Sequence, residues 1–212
     1  MSIAAIRKEY KQQSLLEKDI EKNPFLQFKK WWDEAMHAGI DEVNAMTLAT
    51  ASVTGLPAAR IVLLKGFDEK GFVFFTNYES YKGMQLDENP RACLVFFWKE
   101  LERQVRITGL VEKTTAAESD AYYNVRPVAS RIGAWASPQS RVIQDRQWLE
   151  QNEQQYAARF EGATIERPPY WGGYRVQPVT IEFWQGRAGR LHDRIQYTLQ
   201  EGGNWLIERL AP

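Results

Sequence analysis

Three groups of side chains in this sequence have the types and spacing to hold an anion and act on what it carries. Near the C-terminus, the run Ile181 to Arg194 (IEFWQGRAGRLHDR) packs Arg190, His192 and Arg194 into five residues. An extended chain there predicts all three on one face, with Leu191 and Ile195 on the other. Two guanidiniums beside an imidazole repel one another unless something negative or electron-rich lies between them, which points to a ligand rather than to packing. In mid-chain, Tyr122, Arg126 and Ser130 fall at i, i+4 and i+8, so a continuous helix would stack them on one face. A phenol, a guanidinium and a hydroxyl are donors suited to a phosphate monoester dianion, the guanidinium as a bidentate fork. Pro127 opposes that continuity, because it disfavours helical geometry at Arg126 and suits the start of a second helix. Earlier still, Phe75-Thr76-Asn77 ends a strand, and Ser80-Tyr81-Lys82-Gly83 opens a helix whose free N–H groups and dipole attract an anion, with Lys82 adding a full charge.

The elements that must position these groups can be read from periodicity. Asn23 is a good N-cap and Pro24 suits the first helical position, with Phe25, Phe28, Trp32 and Ala35 at helical spacing until Gly39. From Ala45 the period becomes that of strands. Ala45 to Ser52, Ala58 to Lys65 and Gly71 to Asn77 are joined by the turn signals Val53–Pro57 and Gly66–Lys70, which predicts an antiparallel meander. Arg91 to Lys99 and Glu102 to Lys113 extend it, and strands near Tyr174 to Trp184 and Arg194 to Leu210 could close the sheet into a barrel. Thr115 and Glu118 form a capping box, Asp145 to Phe160 reads as a polar helix with Trp148, Leu149, Tyr156 and Phe160 on its apolar side, and Arg167 to Tyr174 is a turn-rich link. The fold class is α+β, an antiparallel sheet with peripheral helices. Within the second strand, Arg60 and Lys65 are five apart and point to opposite faces if the strand is regular, so they serve different ligands, or one ligand and solvent.

Composition bounds the function. Lys and Arg number 27, as do Asp and Glu, so no global field favours nucleic acid or an anionic membrane, and any anion site is local. At 212 residues and 44% hydrophobic content the chain can bury a sizeable core. Residues 1–22 read as a mobile arm or a short docking helix, and residues 23–212 as one domain. Cys93, the one cysteine, reads as a small buried hydrophobe. No basic-then-apolar leader is visible and the longest apolar run, Ala92 to Trp98, is too short to span a bilayer, so the expectation is a cytoplasmic protein with no metal site.

The R-L-H-D-R run after E-F-W-Q-G, the terminal Glu208-Arg-Leu-Ala-Pro212 and matches along nearly the whole chain resemble the pyridoxine/pyridoxamine 5'-phosphate oxidase family. The resemblance implies an antiparallel split β-barrel, a homodimer with FMN between the subunits, and oxidation of pyridoxine or pyridoxamine 5'-phosphate to pyridoxal 5'-phosphate by dioxygen. It implies that Arg60, Ile61, Val62, Leu63, Leu64, Lys65, Phe75, Thr76, Lys82, Gln104, Gln139, Ser140, Trp184 and Arg194 line the cofactor, with Arg60 near its phosphate. It also implies that Lys65, Tyr122, Arg126 and Ser130 anchor the substrate phosphate. Arg190 and His192, with Leu191 between them, would clamp the pyridine ring, and Arg7-Lys8-Glu9-Tyr10 would fold over the substrate. Glu42 stands where the family carries an acid near the site. Tyr81 departs from the family's S-R-K and removes one cation from the cofactor phosphate. A flavoenzyme of the same barrel type with another substrate, or a carrier without turnover, are the competing classes. The substrate-phosphate set argues against the first, and the presence of Arg190 and His192 against the second.

Overall fold

The computed structural model describes residues 2–3, 9–10 and 12–212. Arg7 and Lys8 lie outside the described residues. Helix α1 (Pro24–His37) starts where the Asn23 side chain accepts the Phe25 N–H at 2.8 Å, and it buries Phe25, Phe28, Trp31 and Ala35 against the sheet. Trp31 rather than Trp32 is the fully buried tryptophan, and fully burying each large apolar side chain contributes about 1.5–3 kcal/mol.

Among the described residues nine strands form one antiparallel sheet: β1 (Ala45–Ala51), β2 (Pro57–Leu63), β3 (Gly66–Asp68), β4 (Gly71–Asn77), β5 (Arg91–Trp98), β6 (Arg103–Lys113), β7 (Trp171–Gln185), β8 (Asp193–Leu199) and β9 (Trp205–Leu210). The order is β2-β1-β5-β6-β7-β4-β3, with β8 and β9 continuing from β7. The predicted meander therefore stops after its first hairpin. Strand β4 pairs with β7 at the far end of the sheet, because Phe72, Val73, Phe74, Thr76 and Asn77 are buried and need cover on both faces, which the edge next to β2 cannot give. The stretch read as a turn supplies the short β3, and Gly71 (φ +135°) approaches β7 so closely that a Cβ there would lie 2.2 Å from the Val176 carbonyl oxygen. The Lys65 N–H donates to Val73 O at 2.8 Å and brings the two ends of the sheet together into an incomplete barrel.

Around it lie α2 (Tyr81–Glu88), α3 (Ala116–Asn124), α4 (Val128–Ala136) and α5 (Arg146–Arg159). The capping box forms, with the Glu118 N–H donating to Thr115 Oγ1 at 3.1 Å and the Thr115 N–H to Glu118 Oε2 at 2.9 Å. Pro127 does break the helix: α3 stops at Asn124 and Pro127 caps α4. The stretch Arg194 to Leu210 is a hairpin, not one strand. Residues 12–22 run along the C-terminal hairpin without forming a helix. Leu15 is buried, its N–H donates to Asp193 Oδ2 at 3.0 Å, and the Tyr197 hydroxyl donates to Glu21 O at 2.7 Å. Cys93 is half-buried on the outer face of β5. Among the described residues no helix is long and apolar enough to cross a membrane, and no group of His, Cys, Asp or Glu could hold a metal ion.

Candidate active site

A cavity of about 660 Å³ opens where β2, β4, the start of α2 and the α3–α4 junction meet. Arg60, Ile61, Val62, Leu63, Lys65, Phe75, Thr76, Lys82, Tyr122, Arg126, Ser130 and Gln139, all sequence-predicted, line it. The break at Pro127 leaves Tyr122, Arg126 and Ser130 facing one space, so the shared helix face was not needed. Among the described residues, four of the lining side chains are cations and none is a carboxylate.

The cations form two centres. At the first, Lys82 Nζ is buried and donates to Thr76 Oγ1 at 3.2 Å and Ser80 Oγ at 3.3 Å, while Arg60 Nη1 donates to Thr50 Oγ1 at 2.6 Å and Leu48 O at 3.2 Å. Burial, and then the Arg60 charge, push the Lys82 ammonium down to about 8. Gln139 accepts the Thr76 hydroxyl at 3.1 Å, which ties the loop after α4 to the end of β4. Ser80 caps α2, and Gly83 is required there because a Cβ would sit 1.9 Å from Tyr78 O. Hydroxyls and a helix N-terminus around two unneutralised cations fit a phosphate group. Tyr81 is 44% exposed and does not line the cavity.

At the second centre, Lys65 Nζ lies 5.9 Å from the centre of the Tyr122 ring, and the Arg126 guanidinium lies 4.6 Å over the Trp171 ring. Burial lowers the Arg126 pKa, and its buried Nη1 has no hydrogen-bond partner. Four lining residues, Asn77, Val125, Pro127 and Trp171, are not among the predicted ligand-contacting residues, although Asn77 and Pro127 mark the strand end and the helix break. Trp171 sits in the aromatic run Tyr170-Trp171-Gly172-Gly173-Tyr174, which reads as packing unless the close approach at its glycines is known.

The C-terminal cluster is arranged differently from the expectation. Arg190, His192 and Arg194 do not share a strand face, because Ala188–Arg190 is a turn of 3-10 helix in which Gly189 (φ +62°) and Arg190 (φ +63°) are left-handed, and β8 begins only at Asp193. Leu191 is 73% exposed and Ile195 is fully buried. For Arg194 the negative partner is part of the protein rather than the ligand that the sequence pointed to: Glu182, buried on β7, accepts Arg194 Nε at 2.9 Å and Nη2 at 3.1 Å, and also pairs with Arg106. His192 packs on Trp184 (ring centres 4.5 Å apart) and against Tyr10 (5.9 Å). The Arg187 N–H donates to His192 Nδ1 at 3.1 Å, so a neutral ring carries its proton on Nε2. Burial, and then Arg190, lower the His192 pKa below its ordinary value.

None of Gln104, Trp184, Arg190, Leu191, His192 and Arg194 borders the cavity. The registers explain the position of Gln104, Trp184 and Arg194: Phe97, Gln104, Trp184 and Arg194 form one cross-strand row, and Ile61, Thr47, Val95, Arg106 and Glu182 form the next, on the same outer sheet face. Ile61 and Phe97 are more than half exposed there. Leu64 points into the core, Ser140 is exposed beside Gln139, and Glu42 is exposed outside the cavity, all three off the lining. Glu9 is exposed, next to Tyr10.

A split barrel whose rim holds two cationic centres without a lining carboxylate among the described residues, beside a sheet face with Ile61 and Phe97 exposed, has the chemistry to fit phosphorylated ligands. Residues 32–160 match the family model described as pyridoxamine 5'-phosphate oxidase, and residues 171–212 match the pyridoxine 5'-phosphate oxidase C-terminal dimerisation region. The chain belongs to the pyridoxamine 5'-phosphate oxidase family. It is 55% identical over 211 residues to a pyridoxine/pyridoxamine 5'-phosphate oxidase of Nostoc punctiforme, covering 100% of this chain and 99% of that one. Among solved structures, PhzG from Burkholderia lata 383, in complex with tetrahydrophenazine-1-carboxylic acid, superposes with a TM-score of 0.87 at 31% identity, covering 93% of this chain and 98% of that one. A pyridoxamine 5'-phosphate oxidase-related, FMN-binding protein of Nostoc punctiforme shares the fold with a TM-score of 0.69 at 20% identity, covering 87% and 97%.

Proposed function

We propose that this protein oxidises pyridoxine 5'-phosphate and pyridoxamine 5'-phosphate to pyridoxal 5'-phosphate, with FMN as cofactor and dioxygen as final acceptor. The alcohol and dioxygen give the aldehyde and hydrogen peroxide; the amine also consumes water and releases ammonia. The observation that carries this reading is the cavity with two cationic centres and no carboxylate, one centre for each of two phosphates. Bound FMN would supply the two-electron acceptor and the route to dioxygen.

The chain's own residues do the binding and orienting. Arg60, Lys82, Thr76 and Gln139 would hold the cofactor phosphate, and Lys65, Tyr122, Arg126 and Ser130 that of the substrate. Anchoring the phosphate on the neighbouring ring position would fix the place of the substrate's 4' carbon, so that orientation rather than new chemistry lowers the barrier. The working unit is a homodimer in which the outer sheet face packs on a second copy. Trp184, Arg190, His192 and Arg194 of one copy would then complete the cavity of the other, which accounts for their distance from it within a single chain. His192, neutral and holding its proton on Nε2, would donate a hydrogen bond to an oxygen of the substrate ring rather than act as a base.

The test is aerobic incubation of the purified protein with pyridoxamine 5'-phosphate, with and without added FMN, following pyridoxal 5'-phosphate. FMN-dependent product is the expected result. Bound flavin without product would move the assignment to another substrate, and neither flavin nor product would leave a non-catalytic protein.

A further inference from the structure

The two cations of the substrate-phosphate centre are held by aromatic faces, not by carboxylates. Tyr122 stacks on Phe75 (centres 4.1 Å apart, planes at 22°), and Phe75 stacks on Trp171 (5.6 Å, 12°). Lys65 lies over Tyr122 at one end of this layer, and Arg126 lies over Trp171 at the other. Tyr123 closes the corner, 5.8 Å from the guanidinium and edge-on to Trp171 at 5.2 Å. The guanidinium of Arg126 thus lies over π faces, and its buried Nη1 has no hydrogen-bond partner among the described residues.

That choice has a consequence. A carboxylate would fix a guanidinium more firmly, but it would neutralise the charge before a ligand arrived. An indole face restrains the plane of the guanidinium and leaves its charge intact. Trp171 is itself well fixed: it is 6% exposed, its backbone pairs with Asn77, and its carbonyl accepts Arg167 Nη1 at 2.5 Å, with Arg167 Nε on Asp120 at 2.6 Å.

We propose that Trp171 is a positioning residue for substrate recognition: its indole holds Arg126 flat and, through Phe75 and Tyr122, sets that cation's place relative to Lys65, so that both close on one phosphate monoester. Trp171 acts through Arg126 and does no chemistry of its own. The inference rests on the reading of Arg126 as a phosphate ligand.

The experiment compares Trp171→Met, which keeps bulk without a π face, with Trp171→Phe, which keeps the face, in the FMN-loaded protein. Binding of pyridoxal 5'-phosphate and of pyridoxal is followed by spectral titration, and pyridoxamine 5'-phosphate turnover is measured alongside. In W171M the phosphorylated ligand should bind about tenfold more weakly and KM rise by the same factor, with kcat, FMN affinity and pyridoxal binding held within about twofold. In W171F the change should stay within about threefold, and in an Arg126→Gln background W171M should add less than about twofold. Equal loss for pyridoxal and its phosphate, a fall in kcat with unchanged KM, or a full W171M effect on top of R126Q would overturn the positioning role. If W171M does not fold, the W171F and R126Q single and double variants decide it, because additive losses there exclude action through Arg126. Wild-type protein that binds pyridoxal as tightly as its phosphate would instead defeat the underlying phosphate reading.

Discussion

The cavity and the C-terminal hairpin use the same cationic side chains in opposite ways. Around the hairpin Arg194 and Arg106 are neutralised by Glu182, and Arg209 by Glu17 and Asp193, the Arg209–Glu17 pair being close enough to hold the Glu17 carboxyl down to about 2. In the cavity Arg60, Lys65, Lys82 and Arg126 meet hydroxyls, carbonyls and aromatic rings instead. A cation held by a carboxylate is fixed and largely neutralised, whereas a cation without one keeps its charge available to an external anion. Burial lowers the pKa of Arg60, Lys82 and Arg126, whereas hydrogen bonds to carboxylates raise those of Arg194 and Arg209.

This contrast can be broken by exchanging the consequences of mutation. The largest expected effect is on the hairpin side: Glu182→Ala leaves Arg106 and Arg194 facing each other at a nearly buried position, and should lower unfolding free energy by about 3 kcal/mol, the low end for a broken buried pair because both arginines keep some solvent. Denaturant titration of the dimer at fixed concentration checks it, and a stability within error of wild type would break the comparison. On the cavity side, Arg126→Gln should cost about 1.5–3 kcal/mol in kcat/KM for the phosphorylated substrate, roughly one to two decades, with no loss in the same denaturant titration. Parallel losses of stability and activity would mean that Arg126 is structural after all.

The sequence was informative where a local rule decides the outcome. Asn23 with Pro24, the Thr115–Glu118 box and Asp145 mark helix starts, and all three helices begin there. Part of the cavity was also legible: Thr76, Lys82, Tyr122, Arg126 and Ser130 are donors clustered near a strand end, a helix start and the Pro127 break, whereas Arg60 to Leu63, Lys65 and Gln139 were assigned to the site through the family resemblance. Long-range pairing was not. Nothing in Gly71–Asn77 says that its partner is β7, about a hundred residues later, since burial on both faces only becomes a constraint once the sheet exists. The alternation through Arg190 misled for a local reason: the turn at Gly189 and Arg190 needs positive φ, and the left-handed arginine carries no signature in composition. Glu182 and Trp171 escaped notice because each matters through a neighbour, one as the counter-ion of Arg194 and the other as the support of Arg126.

The most direct test of the unpaired-cation account is to titrate the flavin-free protein with FMN and with riboflavin, which lacks the phosphate, at pH 7 and at pH 9. Burial, and then the Arg60 charge, depress the Lys82 pKa to about 8, so its charge is present at the lower pH and lost as pH rises through that value. At pH 7 FMN should bind at least about a hundredfold tighter than riboflavin, the return expected from two charge-assisted contacts. At pH 9 that ratio should narrow, while riboflavin affinity stays level. Equal affinity for the two flavins at pH 7, or a ratio that does not change with pH, would contradict the claim that these cations are kept free for a phosphate.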